Sequence, residues 1–265
     1  MAKFICNFIS YSLRRTVDIT VIVPTPTIPE ISRAAQAGAP CAHTPRAPYP
    51  VLYLLHGMGN NHATWNGYSN IELYAEERQI AVVCPSGENK GYIPNGPDDF
   101  FQFIAEELPD FVCGMFPISR RPEDTFLAGL SMGGYGALKC ALSAPKRYAG
   151  CAAFSAAIEI EPLIASASGR MARELQAILG PERKIPPEAD PYALLNRRKG
   201  AQLPRFFVTC GEQDALYQEN VRFVKALEER GADVRFEHWE GDHRWEVWDK
   251  SVEMALEEFF PAGKK

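Results

Sequence analysis

Short apolar runs alternate with amphipathic stretches along most of this chain. VDITVIV (17–23) alternates apolar with polar residues as a half-buried strand does, whereas VLYLL (51–55), IAVVC (80–84), TFLAG (125–129), GCAAFS (150–155) and RFFVTC (205–210) are continuous and apolar. Runs of the second kind suit strands covered on both faces of a mostly parallel sheet. VRFEHW (234–239) reads as a last strand nearer the sheet edge. Helices are expected over Ile71–Gln79, over Phe100–Met115 with Pro109 dividing it, over Tyr135–Ala144, over Glu219–Arg230 up to Gly231, and over Val247–Phe260. Strands alternating with helices of this size predict an α/β fold, a mostly parallel central sheet flanked by helices.

Two stretches break the rhythm. Residues 24–50 hold seven prolines. Their middle part, 26–48, is expected to lie on the surface or to mediate subunit contacts, which leaves a homo-oligomer open. Residues 156–204 separate two strands by about fifty positions and carry a helix-like piece at Met171–Leu179, which predicts a small cap-like insertion. At 265 residues the chain is expected to be one domain, 1–265, that includes both.

Lys and Arg number 28 against 33 Asp and Glu, a net charge of −5, and no basic block occurs, so neither nucleic acid nor an anionic membrane is an expected partner. No apolar run approaches the roughly 18 residues of a spanning helix. Phe4–Ile9 is too short for a signal-peptide core, so the chain is expected to be cytoplasmic. The seven cysteines are odd in number and form no CxxC pair. Cys84, Cys140, Cys151 and Cys210 lie in apolar runs and read as free, buried thiols, whereas Cys41 stands in a polar setting and is expected to be exposed.

The chemistry concentrates at Gly129-Leu130-Ser131-Met132-Gly133-Gly134, between the strand TFLAG and a helix. A serine at so sharp a strand-to-helix turn needs a strained backbone. The glycines two positions either side keep a Cβ out of the neighbouring strand and helix. Such a turn exposes the Ser131 hydroxyl and sets a helix N-terminus where an oxyanion would form. A serine hydroxyl needs a base, and the base an orienting acid. Only His238 and His243 follow Ser131. His238 falls within a strand and His243 in the loop GDHRW, which favours His243. For the acid, Asp214 in GEQDALY follows a strand end and is preferred, with Glu212 its near competitor and Asp190 and Asp242 less well placed. The loop His56-Gly57-Met58-Gly59 after VLYLL offers a second oxyanion donor, the N–H of Met58 or alternatively Gly59, beside that of Met132. His56 itself is expected to be hydrogen-bonded beneath the loop.

The run PVLYLLHGMGNNHATW, then FIAEELP, FLAGLSMGGYGALK, TCGEQDALYQEN and GDHRWEVWD resembles the tributyrin-esterase and feruloyl-esterase branch of the esterase D-type α/β-hydrolases, from about Phe8 to Phe260. The resemblance implies the α/β-hydrolase fold, a triad on Ser131, Asp214 and His243, and oxyanion donors on Met58 and Met132. It also implies a small-molecule ester substrate with short-chain acyl or hydroxycinnamoyl groups, without metal or organic cofactor. S-formylglutathione hydrolases are the near rival; they carry Thr-Cys after the HG strand and a His in the SMGGxG segment, where this chain has Gly59-Asn60-Asn61 and Tyr135. Acyl transfer on the same fold is a further alternative. Substrate-pocket walls are expected from Gly59, Trp65, Tyr92, Asn95 and Trp245, with Trp248 as readily core as wall.

Overall fold

In the computed structural model, which describes residues 1–43, 45, 47–95, 97–179, 184–198 and 203–261, the apolar runs assemble into one eight-stranded sheet. The parts of 26–48 and 156–204 missing from those ranges lie outside the described residues. The elements are β1 (Ala2–Ser10), β2 (Arg15–Val23), α1 (Ile28–Gln36), β3 (Val51–Leu55), α2 (Thr64–Tyr68), α3 (Ile71–Arg78), β4 (Ala81–Pro85), β5 (Pro94–Asn95), β6 (Asp98–Asp99), α4 (Phe100–Gln102), α5 (Leu108–Met115), β7 (Thr125–Leu130), α6 (Met132–Ser143), β8 (Gly150–Phe154), α7 (Ile160–Ser166), α8 (Gly169–Leu179), α9 (Pro191–Asn196), β9 (Arg205–Gly211), α10 (Tyr217–Glu229), β10 (Val234–Trp239) and α11 (Trp245–Phe259). Strand order is β1-β2-β4-β3-β7-β8-β9-β10. β1 and β2 run antiparallel and all pairs from β4 to β10 are parallel.

The strands β3, β4, β7 and β8 are buried almost throughout, because helices cover both faces. One apolar layer packs the sheet against α5, α6, α9 and α10; the other packs it against α3 and α11. Since the strands from β4 to β10 are parallel, their C-terminal ends and the loops leaving them gather at one edge.

Three elements depart from the sequence reading. β1 was not expected, because as an edge strand it leaves Ile5 70% and Ile9 77% exposed, and apolar residues on its outer face blur the period-2 signal. Residues 26–48 are largely exposed, as expected of a surface segment, but not irregular throughout. They contain α1, where the Thr27 side chain accepts from Glu30 N–H and the Glu30 carboxylate accepts from Thr27 N–H at 2.7 Å, with Pro29 in the first turn. No residue of α1 is buried. The expected break at Pro109 is made differently, since the helix widens into a π-turn over Phe103–Glu107 before Pro109 enters the first turn of α5.

That π-turn aims Glu107 into the turn between β1 and β2. Its carboxylate accepts from Ser10 Oγ at 2.7 Å, Tyr11 N–H at 2.7 Å and Ser12 N–H at 3.0 Å. His56, directly after β3, is also buried. Gly87 N–H donates to its Nε2 at 2.8 Å, so Nδ1 carries the proton and donates to Gly57 O at 2.7 Å. Burial drives its pKa down to about 4, against the pull of the Gly57 carbonyl.

Both groups make measurable predictions. Glu107→Ala strips three donors of their acceptor and is expected to cost about 3 kcal/mol in urea unfolding, with Glu107→Gln costing less. For His56, the unfolded chain takes up a proton near pH 6.5 that the folded chain refuses until about pH 4. The stabilisation is therefore whole above pH 6.5 and is lost on acidification through this window, at most about 1.4 kcal/mol per pH unit. Urea midpoints between pH 7 and 4.5 should fall more steeply for the wild type than for His56→Gln; parallel curves would exclude this source of acid sensitivity.

Candidate active site

β7 runs into Ser131, whose backbone stands at φ 52°, ψ −116° before α6 begins at Met132. Positive φ at a non-glycine residue costs on the order of 1–3 kcal/mol and persists only where the surroundings impose it. Here Ser131 N–H donates to Phe154 O at 2.8 Å, while Ser131 O accepts from Tyr135 N–H at 3.0 Å and Ala157 N–H at 3.2 Å. A Cβ on Gly133 would lie 2.5 Å from Leu55 O, and one on Gly129 would overlap the Gly133 backbone. Only glycine at both sites lets β3, β7 and α6 approach this closely.

The loops after β9 and β10 are tied to each other. Gln213 N–H donates to Gly241 O at 2.9 Å and Gly241 N–H to Gln213 Oε1 at 2.6 Å. This pairing sets Asp214 beside His243. Asp214 Oδ2 accepts from His243 Nδ1 at 2.8 Å, and His243 Nε2 stands 3.0 Å from Ser131 Oγ. Asp214 is 5% exposed. Burial pushes its carboxyl up, but hydrogen bonds from His243, the Leu216 N–H and the Ser155 hydroxyl outweigh that and hold it below the usual carboxylate range. The other candidates are engaged elsewhere. Glu212 binds the half-exposed His238 at 2.9 Å, Asp242 pairs with Arg244, and Asp190 caps α9 through Tyr192 N–H at 2.9 Å.

Met58 and Met132 both border the mouth of the serine, in a cavity of about 320 Å³. Gly59 N–H donates to Asn89 Oδ1 at 2.7 Å, so of the two sequence candidates in this loop Met58 keeps an uncommitted N–H among the described residues. Met132 opens α6, and its N–H has no partner within the helix. The cavity walls are almost wholly apolar: Ile160 of α7, Leu175 and Ile178 of α8, with Ile93, Leu216 and Tyr135. No Lys or Arg lines it among the described residues.

The expected pocket residues need correction. Trp65 is buried in the core, its indole N–H donating to Leu55 O at 3.0 Å. Tyr92 lies beneath the loop that carries Met58, its hydroxyl donating to His56 O at 2.9 Å. Trp245 packs on Trp65, Tyr68 and Trp248 behind the cavity, and Gly59 sits between the lining residues Met58 and Asn60 without lining the cavity itself. The Asn95 side chain lies outside the described residues. Trp248 does line the cavity, with its ring edge-on to His243 at 4.8 Å between centroids. The sequence reading expects walls from the cap-like insertion but names none of its side chains; the spacing of Leu175, Ile178 and Leu179 was the available signal.

Among the described residues no group of three or more His, Cys, Asp or Glu side chains is arranged to hold a metal ion, and no helix is long and apolar enough to cross a membrane. Over residues 32–259 the chain matches the model of the Esterase family ("Putative esterase"). It is 32% identical to an acetyl esterase of Caldicellulosiruptor saccharolyticus, over 97% of either chain. Its structure is similar to that of FphF, a fluorophosphonate-binding serine hydrolase of Staphylococcus aureus, with a TM-score of 0.84, 30% identity and 98% of both chains covered. The S-formylglutathione hydrolase FrmB of the same organism superposes with a TM-score of 0.82, again at 30% identity over 98% of both chains. With this sheet order, a serine on the turn after β7 and these relatives, the chain belongs to the Esterase family and is a carboxylic ester hydrolase of α/β-hydrolase fold.

Proposed function

We propose that the chain is a serine carboxylesterase acting on esters of short, apolar carboxylic acids. The observation that carries this is the unbroken hydrogen-bond chain from Asp214 through His243 to Ser131, opening on an apolar cavity. In this reading Ser131 Oγ attacks the ester carbonyl carbon as its proton passes to His243 Nε2. The carbonyl π electrons move onto oxygen, facing the N–H groups of Met58 and Met132. Collapse of that adduct breaks the bond to the alcohol oxygen, which takes the proton from His243, and an acyl-serine remains. Water then attacks with His243 again as base, releasing the acid and restoring the Ser131 hydroxyl. Asp214 stays ionised throughout, holding the imidazole by Nδ1 and balancing its transient charge.

A mostly apolar cavity of about 320 Å³ supports short acyl chains as the preferred group. A hydroxycinnamoyl ring would find apolar contacts, but the Tyr135 hydroxyl already donates to Ala189 O at 2.6 Å, so a phenolic group gains little there. Hydroxycinnamoyl esters therefore rank second. The likeness to FrmB favours a further reading, hydrolysis of S-formylglutathione-type thioesters. Against it, such a thiol carries carboxylates, and no cation lines the cavity among the described residues.

Ser131→Ala is expected to lower kcat by about 10⁶ with the fold retained, and His243→Ala by a similar factor, because triad members act as a unit. Asp214→Asn should cost about 10⁴, whereas His238→Ala should leave kcat within twofold. A fluorophosphonate probe should label wild type but not Ser131→Ala; labelling of both would reject Ser131 as nucleophile. Across p-nitrophenyl esters, kcat/KM should peak in the acetyl-to-butyryl range and fall for octanoyl and longer chains. Methyl ferulate and S-formylglutathione should both be slower than the butyryl ester. A monotonic rise to the dodecanoyl ester would point instead to a long open groove.

A further inference from the structure

Tyr92 stands at φ 54° although it carries a bulky side chain, and it is fully buried. An aromatic residue with positive φ is an outlier, and such strain gathers where a structure needs one particular geometry. The chain accommodates the ring with two glycines from different elements. A Cβ at Gly136, in α6, would lie 2.5 Å from Tyr92 Cδ2, and one at Gly87 would lie 2.5 Å from Cζ. The Tyr92 carbonyl accepts from the buried Lys139 Nζ at 3.4 Å, and the phenol donates to His56 O at 2.9 Å.

From that phenol to the Met58 N–H there are two peptide planes. The Tyr92 hydroxyl holds the first, His56–Gly57, by its carbonyl. The protonated Nδ1 of His56 holds the second, Gly57–Met58, by the Gly57 carbonyl at 2.7 Å. A trans peptide is planar, and its C=O and N–H point in opposite directions. Binding Gly57 O to the imidazole therefore turns the Met58 N–H the other way. The loop also abuts the nucleophile: a Cβ on Gly57 would lie 3.5 Å from the Ser131 Cβ. A small rotation of either plane thus changes the angle between the Met58 N–H and the Ser131 hydroxyl.

We propose that Tyr92 is a positioning residue that aims the Met58 N–H at the developing oxyanion, acting through His56 O and never touching substrate. The proposal rests on the catalytic reading above. Its contribution belongs to the charged tetrahedral state, because the neutral ester gains little from a precisely aimed donor. Loss of the phenol should therefore appear in kcat and not in KM.

The test compares Tyr92→Phe with wild type on p-nitrophenyl butyrate and on inhibition by an alkyl boronic acid, whose tetrahedral serine adduct places an oxygen at the oxyanion position. Phenylalanine keeps the ring between its two glycines. We expect kcat to fall about 10- to 100-fold with KM within twofold, and boronic acid affinity to weaken by a similar factor. Gly87→Ala, which keeps the phenol but displaces the ring, should give the same kinetic signature and carries the test if Tyr92→Phe does not fold. A folded Tyr92→Phe with a lowered Tm but wild-type kcat would overturn the proposal, as would a lowered kcat with unchanged boronic acid affinity. Ser131→Ala runs alongside. Full turnover in that variant would remove the catalytic reading itself, whatever Tyr92→Phe does.

Discussion

Holding Ser131 at φ 52° requires backbone from three parallel strands to close on one point. The carbonyl ending β8 takes its N–H, Gly133 packs on the carbonyl ending β3, and β7 delivers the residue itself. Remove the glycine at 133 and β3 must move outward, taking with it the loop that carries Met58. The strain at the serine is small beside the burial that surrounds it, which is why it can be maintained. The register of β3, β7 and β8 is thus bound to the geometry of one hydroxyl.

Electrostatics follows from the same packing. Asp214 is nearly enclosed, yet its carboxylate is held by three donors, so it stays charged where an isolated carboxylate would be neutralised. His243 lies between that charge and an apolar cavity, with Trp248 edge-on beside it. The Asp214 side chain is enclosed while the His243 ring is partly exposed, so the hydrogen bond between them is screened less than a pair standing wholly at the surface. The Arg244–Asp242 pair, by contrast, sits in solvent just outside and contributes little beyond shaping the loop.

Much of this is legible in the amino-acid sequence. The inner strands announce themselves as continuous apolar runs because both faces are covered, and motif and chain order single out Ser131, Asp214 and His243, which the fold brings within hydrogen-bond distance of one another. What failed was whatever depends on side-chain direction. Trp65, Tyr92 and Trp245 lie next to the motif loops in sequence, but burial turned them away from the cavity, and nothing in residue type encodes that turn. β1 was missed because an edge strand is only half obliged to alternate. α1 was hidden behind prolines, although Thr27, Pro29 and Glu30 together spell a helix start.

Part of the cavity wall comes from a stretch of chain separate from the groups that surround Ser131, although Tyr135, Leu216 and Trp248 belong to the same stretches as those groups. Ser131, Asp214, His243 and Met58 each follow a different strand, so none can be shifted without disturbing the sheet. Ile160, Leu175 and Ile178 all come from the one connection between β8 and β9. That connection can therefore drift in sequence, lengthen or be exchanged as a block while Ser131, Asp214 and His243 stay where they are. In descendants of this chain, the shape of the acid accepted is free to diversify on a much shorter mutational path than the reaction performed on it.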